Sequence, residues 1–273
     1  MSDAKEASSP GPRHFIVTLF GLYAREQGGI LAVADLIRML SELGFDGAAV
    51  RSSISRLKRS GVLESVKVGS VAGYRRAPRL EGMFRSGDER ILHPHRASAK
   101  DPWVLASFSV PERDRHLRHR LRSILTALGF GQVTPGLWIA PATITEELRD
   151  AIARAGLSEY VELFEANHLT SEHANATVGR WWDLEALDSL YIQFIRRFEP
   201  VLKGWQDNPN QSDANAFRDY ITVLTAWRRF PYLDPGLPLE YLPKNWSGVA
   251  AETLFTTLRN KLDTAARRFA QLD

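Results

Sequence analysis

The chain has 273 residues, 44% of them hydrophobic, no cysteine, and a formal net charge of +3. That length and apolar content suffice for one or two buried cores, and the lack of cysteine excludes disulfides, thiolate metal sites and a cysteine nucleophile. No run approaches the roughly 18 apolar residues of a membrane helix, and residues 1–13 are polar with two prolines, unlike a secretory leader. No membrane association is expected, and cytoplasmic placement follows by default.

Residues 1–13 read as a disordered N-terminus. Beyond them Phe15, Leu19 and Leu22 recur at helical spacing, and a second helix carries Val33, Leu36, Ile37 and Leu40 on one face. Gly44 and Gly47 mark a tight turn, after which Ala48 to Ser60 form a third helix with Val50, Ile54 and Leu57 as its apolar stripe. Gly61 ends that helix. Two strand-like runs follow, Val62 to Val68 and Tyr74 to Ala77, joined by residues 69–73 as a hairpin. Three helices and a hairpin predict a winged helix-turn-helix over residues 14–96, linker included.

A second region, residues 101–176, opens with a strand over Trp103 to Val110. Next comes a helix keyed by Leu117, Leu121, Ile124, Leu125 and Leu128, closed by Gly129 and Gly131. Short strands flank Pro135-Gly136, a helix spans Ile144 to Ala155, and Tyr160 to Glu165 supply a last strand. The order βαββαβ is that of a ferredoxin-like domain. Residues 177–273 read as helical: Asp183 as N-cap before Leu184, Leu187, Tyr191, Phe194 and Phe198, then helices near 214–229 and 249–270. Four prolines (231, 235, 238 and 243) bar continuous helix between those two, and so long an apolar loop is packed down or functional. The fold class is therefore α+β in three domains, and the domain order predicts that residues 103–273 fold without the N-terminal segment.

Charge is distributed unevenly. Residues 51–79 hold eight basic side chains against one acid, Glu64, whereas the remainder holds 27 basic against 31 acidic residues. A positive excess confined to one short region calls for a polyanionic partner. Burying Val50, Ile54 and Leu57 turns Ser52, Ser55 and Arg59 outward with Arg51, Arg56 and Lys58 on the flanks, a face suited to the major groove of DNA. Arginine grips guanine edges with paired hydrogen bonds, and residues near the helix start reach deepest. Arg51, Ser52, Ser55 and Arg56 are thus the base-reading candidates. Lys58, Arg59, Lys67, Arg75 and Arg76 are assigned to phosphate, which positions without specifying. The competing reading is a solvated amphipathic face, the common fate of exposed charge.

For catalysis the pattern offers little: no H-E-x-x-H, no phosphate loop and no nucleophile elbow, so neither catalytic residues, metal nor cofactor are expected. His93 with His95, and His116 with His119, read as ordinary surface. Trp181, Trp182, Trp205, Trp227 and Trp246 gather in the last third, where core packing is the first explanation and enclosure of an apolar ligand the second. Arg180, Arg228 and Arg229 lie beside aromatic residues and are candidates, with Trp181 and Trp182, for holding an anionic effector.

Several segments together resemble one family: RSSISRLKRSGVL from Arg51 to Leu63, WVLASFSVP from Trp103 to Pro111, LGFGQVTPGLWIAP from Leu128 to Pro141, WDLEAL from Trp182 to Leu187, and RRFPYLDPGLPLEYLPKNWSG from Arg228 to Gly248. In this order, across essentially the whole chain, they are similar to the PaaX-type regulators of phenylacetate catabolism. The resemblance implies a winged helix, a middle domain related to a small CRISPR-associated ferredoxin-like fold, and a helical C-terminal domain. It also implies a homodimeric repressor that binds imperfect inverted repeats in double-stranded DNA and is released by an acyl-CoA effector such as phenylacetyl-CoA. Ser52-Ser53 and the basic wing depart from the family pattern and leave the operator open. Rival readings are a nucleic-acid-processing enzyme using the ferredoxin-like domain, and a winged-helix adaptor that binds protein.

Overall fold

The computed structural model describes residues 10–24, 28–68, 71–167 and 174–270. They form an α+β protein with two antiparallel sheets, one of three strands and one of four. Tertiary contacts group into two units: residues 1–88 with 194–227 and 250–273, and residues 89–193 with 228–249. In this grouping the last third of the chain is shared between the two units.

In the first unit, α1 (Pro12–Leu22) begins on a proline, whose fixed φ suits the first helical turn, so Pro12 and Arg13 are helical and only residues 1–9 of the expected disordered segment lie outside the described residues. Phe15, Ile16, Leu19 and Phe20 are buried along α1. A short strand that the periodicity does not announce, β1 (Ile30–Ala32), precedes α2 (Val33–Ser41), which buries Leu36, Met39 and Leu40. Gly44, at φ 84°, lets the chain turn into α3 (Gly47–Arg59). Asp46 caps α3 by accepting from the Ala49 amide at 2.7 Å.

The hairpin is longer than its sequence suggests. Strands β2 (Leu63–Val68) and β3 (Val71–Arg76) pair from Leu63↔Arg76 to Val68↔Val71, so Val71, Ala72 and Gly73 belong to a strand and not to a loop; the turn itself, residues 69–70, lies outside the described residues. β3 takes the centre of the sheet, with β1 on its other edge and Ala32 opposite Gly73. A Cβ at Gly73 would come within 3.1 Å of the Leu31 carbonyl, so β1 approaches this closely only because residue 73 is glycine. The unit continues through most of α4 (Glu81–Leu92), the later part of α8 (Leu184–Asp207), α9 (Asp213–Trp227) and most of α11 (Gly248–Ala270). α9 packs on α1: Thr18 and Thr225 hydroxyls meet at 2.9 Å, and Tyr23 stacks with Phe217 at 6.3 Å.

In the second unit the strands are β4 (Trp103–Phe108), β5 (Gly131–Thr134), β6 (Leu137–Pro141) and β7 (Val161–Ala166), with α5 (Arg115–Ala127) and α6 (Thr145–Ala155) between them. The spatial order is β5-β6-β4-β7, antiparallel throughout. Val104, Ala106 and Phe108 of β4 face Leu121 and Leu125 of α5 and Leu148 and Ile152 of α6 in one apolar core.

α7 (Ala174–Trp181), unforeseen from the sequence, leads into α8, whose start is capped by Asp183 accepting from the Ala186 amide at 3.0 Å. The proline-rich loop is packed down and contains one α-helical turn, α10 (Phe230–Leu233), and a 3-10 turn at Leu239–Tyr241. Arg90 donates to the carbonyls of Pro231 and Leu128, Arg96 donates to Leu237, and buried Asp234 accepts from Arg96 at 3.0 Å and from the Tyr191 hydroxyl at 2.9 Å. A loop with so many backbone carbonyls survives burial only because these donors satisfy them.

Candidate functional site

The outward face of α3 is built by periodicity alone. Val50, Ser53, Ile54 and Leu57 are buried, and Arg51, Ser52, Ser55, Arg56, Lys58 and Arg59 are exposed. Asp46 anchors the N-terminal end, where Arg51 and Ser52 stand in the first turns. Arg56 is held in part from beneath: its guanidinium donates to the hydroxyl of fully buried Ser53 at 3.2 Å. Ser53, which pattern reading passed over as a stripe residue, thereby engages one N–H at the guanidinium end of Arg56, one of its five donors.

The sheet contributes less positive charge than its sequence suggests. Lys67 is exposed on β2. Arg75 is exposed on β3 but pairs with Glu64 across the hairpin at 3.1 Å, which partly offsets its charge. Arg76, one residue further along, points to the opposite face, as strand alternation requires. Its side chain is only 5% exposed, bridges Glu81 at 3.0 Å and Asp88 at 3.3 Å, and lies 4.9 Å from the Phe84 ring. The assignment of Arg76 to a phosphate is therefore corrected: it is the internal tie between β3 and α4. Arg79 is likewise occupied, donating to the Gly61 carbonyl at 2.7 Å behind the end of α3.

In the second unit, a cavity of about 520 Å³ is lined by residues 179–185 together with Tyr241 and Pro243. Trp181 and Trp182 meet at 6.0 Å, and Trp103 of β4 adds a third indole within 6.5 Å of each and 5.9 Å from Tyr241. Trp182 is fixed by donating its indole N–H to the Gly129 carbonyl at 2.9 Å, and it lies so close over Gly131 that no side chain fits there. Arg180 lines the cavity; Arg228 and Arg229 do not, the latter lying over the Phe230 ring at 5.2 Å. The other tryptophans are packing elements. Trp205 donates to Asp219 at 2.7 Å, Trp227 stacks on Phe255 at 4.7 Å, and Trp246 meets Tyr191 edge-on. The cavity wall mixes signs, since Asp183 and Glu185 stand beside Arg180. Tyr241 and Trp103 were not legible as its neighbours because they come from distant parts of the chain.

Among the described residues no three His, Asp or Glu side chains converge as a metal site, and no helix is long and apolar enough to cross a membrane.

Comparison with known proteins places three family models in tandem. Residues 11–80 match the PaaX-like protein model, residues 96–178 the PaaX protein central Cas2-like domain, and residues 182–272 the PaaX-like protein C-terminal domain. The transcriptional repressor PaaX of Escherichia coli strain K12 is 25% identical over 258 residues, which span 93% of this chain and 81% of that protein. The solved structure of an uncharacterized protein from Mycobacterium tuberculosis superposes with a TM-score of 0.60 at 20% identity, covering 94% of this chain and 98% of the other. With all three models in order along one chain, and a relative aligned over nearly its full length, the chain belongs to the PaaX family.

Proposed function

We propose that this protein is a transcriptional repressor, not an enzyme, whose first unit reads operator DNA through a winged helix-turn-helix made of α1–α3 and the β1–β3 sheet. The observation that carries the reading is the division of α3: four buried residues pack it down, and six polar or basic ones are presented to solvent. Arg51, Ser52, Ser55 and Arg56 read bases; Lys58, Arg59, Lys67 and, in part, Arg75 meet phosphates. The name of the Escherichia coli relative supports the same activity. The β5-β6-β4-β7 order supports a ferredoxin-like assignment for the central domain, which has the position of the Cas2-like family model. The protein acts in the cytoplasm as a homodimer on an imperfect inverted repeat.

The test is operator binding by single variants. Arg51→Ala or Arg56→Ala should weaken specific binding by about 1 to 3 kcal/mol and relax base preference. Lys67→Ala should weaken specific and non-specific binding alike and reduce the salt slope by about 1. Unchanged affinity and selectivity in all three would remove α3 and the wing as the reading head.

The regulated genes are those of an aromatic-acid catabolic operon of the phenylacetate type, and the effector is an aryl-acetyl-CoA or related acyl thioester. Support comes from the aromatic wall of the 520 Å³ cavity, where Trp181 and Trp182 can enclose an aryl group beside Arg180. Release requires the ligand to favour the DNA-free conformation by about 1 to 3 kcal/mol. Operator-binding titrations with phenylacetate, phenylacetyl-CoA and unrelated acyl-CoAs test the class. Arg180→Ala should blunt the response, whereas an Arg228→Ala, Arg229→Ala variant should respond like the parent. If every thioester leaves operator affinity unchanged, this effector class is wrong.

A further inference from the structure

The second unit carries its own concentration of positive charge. Between Arg113 and Arg122 the chain holds five arginines and two histidines against a single acid, Asp114. The excess is invisible in the regional sum because acids elsewhere offset it. The amphipathic pattern of α5 turns Leu121 and Leu125 into the core, and the cationic side chains occupy the other face. Arg118 is tethered, donating to the Val110 carbonyl at 2.8 Å and to Glu112 at 3.2 Å, and Arg113 meets Asp114 at 3.3 Å. Arg115, Arg120 and Arg122 have no ion-pair or hydrogen-bond partner among the described residues. A recess of about 400 Å³ lies along this face, lined by Glu112, Arg115, His116, Arg118, His119 and Arg122.

Ordinary solvated helix surface looks different, as α6 beside it shows. There Arg149 pairs with Glu146 and Arg154 with Asp150, one turn apart, so the charge is locally balanced. On α5, cations at Arg115, Arg118 and Arg122 repel one another at i+3 and i+4 spacing. Arg115 and Arg118 also sit in the first turn of the helix, which contains no acid and where the macrodipole already disfavours positive charge. Both arrangements destabilise the free protein and are relieved by a bound anion. The outward face carries no aromatic or large aliphatic side chain, which a protein partner would need at the centre of its interface. From Arg115 to Arg122 it extends over roughly 10 Å, longer than a single phosphate group and suited to a phosphate chain.

We infer that the outward face of α5 is a second nucleic-acid contact, in which Arg115, Arg120 and Arg122 meet the phosphates of duplex DNA independently of base sequence. The inference rests on DNA being the partner, as argued for α3, but assigns a separate surface to it.

The experiment measures binding of the full chain to a fluorescent mixed-sequence duplex from about 50 to about 200 mM salt. It compares the parent with an Arg115→Ala, Arg120→Ala, Arg122→Ala variant, the same three positions changed to lysine, and a Lys58→Ala, Arg59→Ala, Lys67→Ala variant. The α5 alanine variant is expected to lower the magnitude of the salt slope by about 2 to 3, so that the four-fold salt step weakens the parent about 40-fold more than the variant. The lysine variant should keep the parent slope, which separates charge from fold. A parent-like slope in the α5 alanine variant overturns the inference and returns the face to solvent or to an acidic protein. If the α5 variant loses slope but the α3 and wing variant does not, the α5 contact stands and the α3 reading falls. If the parent does not bind duplex DNA at all, both fall.

Discussion

Arg75 and Arg76 are neighbours of identical chemistry, and strand alternation gives them opposite roles. Arg76 lies between Glu81 and Asp88 with its guanidinium beside Phe84, so removing it takes a nearly buried shared cation away from two carboxylates and an aromatic ring at once. Arg76→Ala is expected to destabilise the first unit by about 3 kcal/mol in chemical denaturation, while the surviving folded protein keeps its DNA salt slope. A lost slope at unchanged stability would restore the phosphate assignment. Arg75 is exposed yet partly neutralised by Glu64 at 3.1 Å. Glu64→Gln should release it, raising affinity for mixed-sequence DNA about two- to three-fold and steepening the salt slope by up to about 1. Both arginines were legible as basic; which one faces solvent was fixed by the Glu64↔Arg75 register, and no composition count contains a register.

At the scale of elements, helices with a strong apolar period were legible and those without one were not. The stripe of α3 was read correctly from Val50, Ile54 and Leu57, whereas β1 was missed because three residues are too short to display alternation. The α9–α11 pair offers a test of charge at this scale. Arg268 of α11 donates two hydrogen bonds to Asp213 at the start of α9, at 2.7 and 3.0 Å. That bidentate pair holds the Asp213 carboxyl below the usual carboxylate range and raises Arg268 in turn. Because the folded state depresses the acid, the contribution is present above the ordinary carboxylate value and is lost as pH falls through the lower, folded one. Asp213→Asn should therefore narrow the stability gap to the parent as pH drops through that window, read by thermal melts across acidic pH. In the second unit, Gly131 gives the equivalent packing test. A Cβ there would lie 2.6 Å from the Trp182 ring, so Gly131→Ala should cost about 1 to 3 kcal/mol and shift tryptophan fluorescence.

For the whole molecule, the sequence suggests three consecutive domains and a fragment from residue 103 onward that folds alone. The contacts assign α9 and most of α11 to the unit that contains α1–α3. Phe217 stacks on Tyr23, Arg38 donates to the Phe269 carbonyl at 3.0 Å, and Arg218 reaches Glu42. Deleting residues 1–102 would uncover this side of α9, including Phe217, which is fully buried in the intact chain. The expected outcome for the Trp103–Asp273 fragment is loss of cooperative unfolding in its C-terminal helices; a single transition with the parent's Tm would show that those helices need no N-terminal partner. The same packing places α9 and α11 against α1 and α2 within one unit.

The features legible from residue order were local: the helical periods, the glycine and proline punctuation, the βαββαβ order, and the basic face of α3. These depend on neighbours within about one turn or one strand pair, so a linear pattern records them. Which arginines remain available follows from contacts made on folding. Arg76 is taken up inside the first unit, exposed Arg79 is tied to the Gly61 carbonyl, Arg228 and Arg229 stand away from the aromatic cavity, and Arg115, Arg120 and Arg122 are left unpaired on α5 among the described residues. Charge availability depends on which carboxylates and carbonyls the fold brings within hydrogen-bond reach, and residues such as Arg79 and Gly61, 18 positions apart, meet only when the chain has folded.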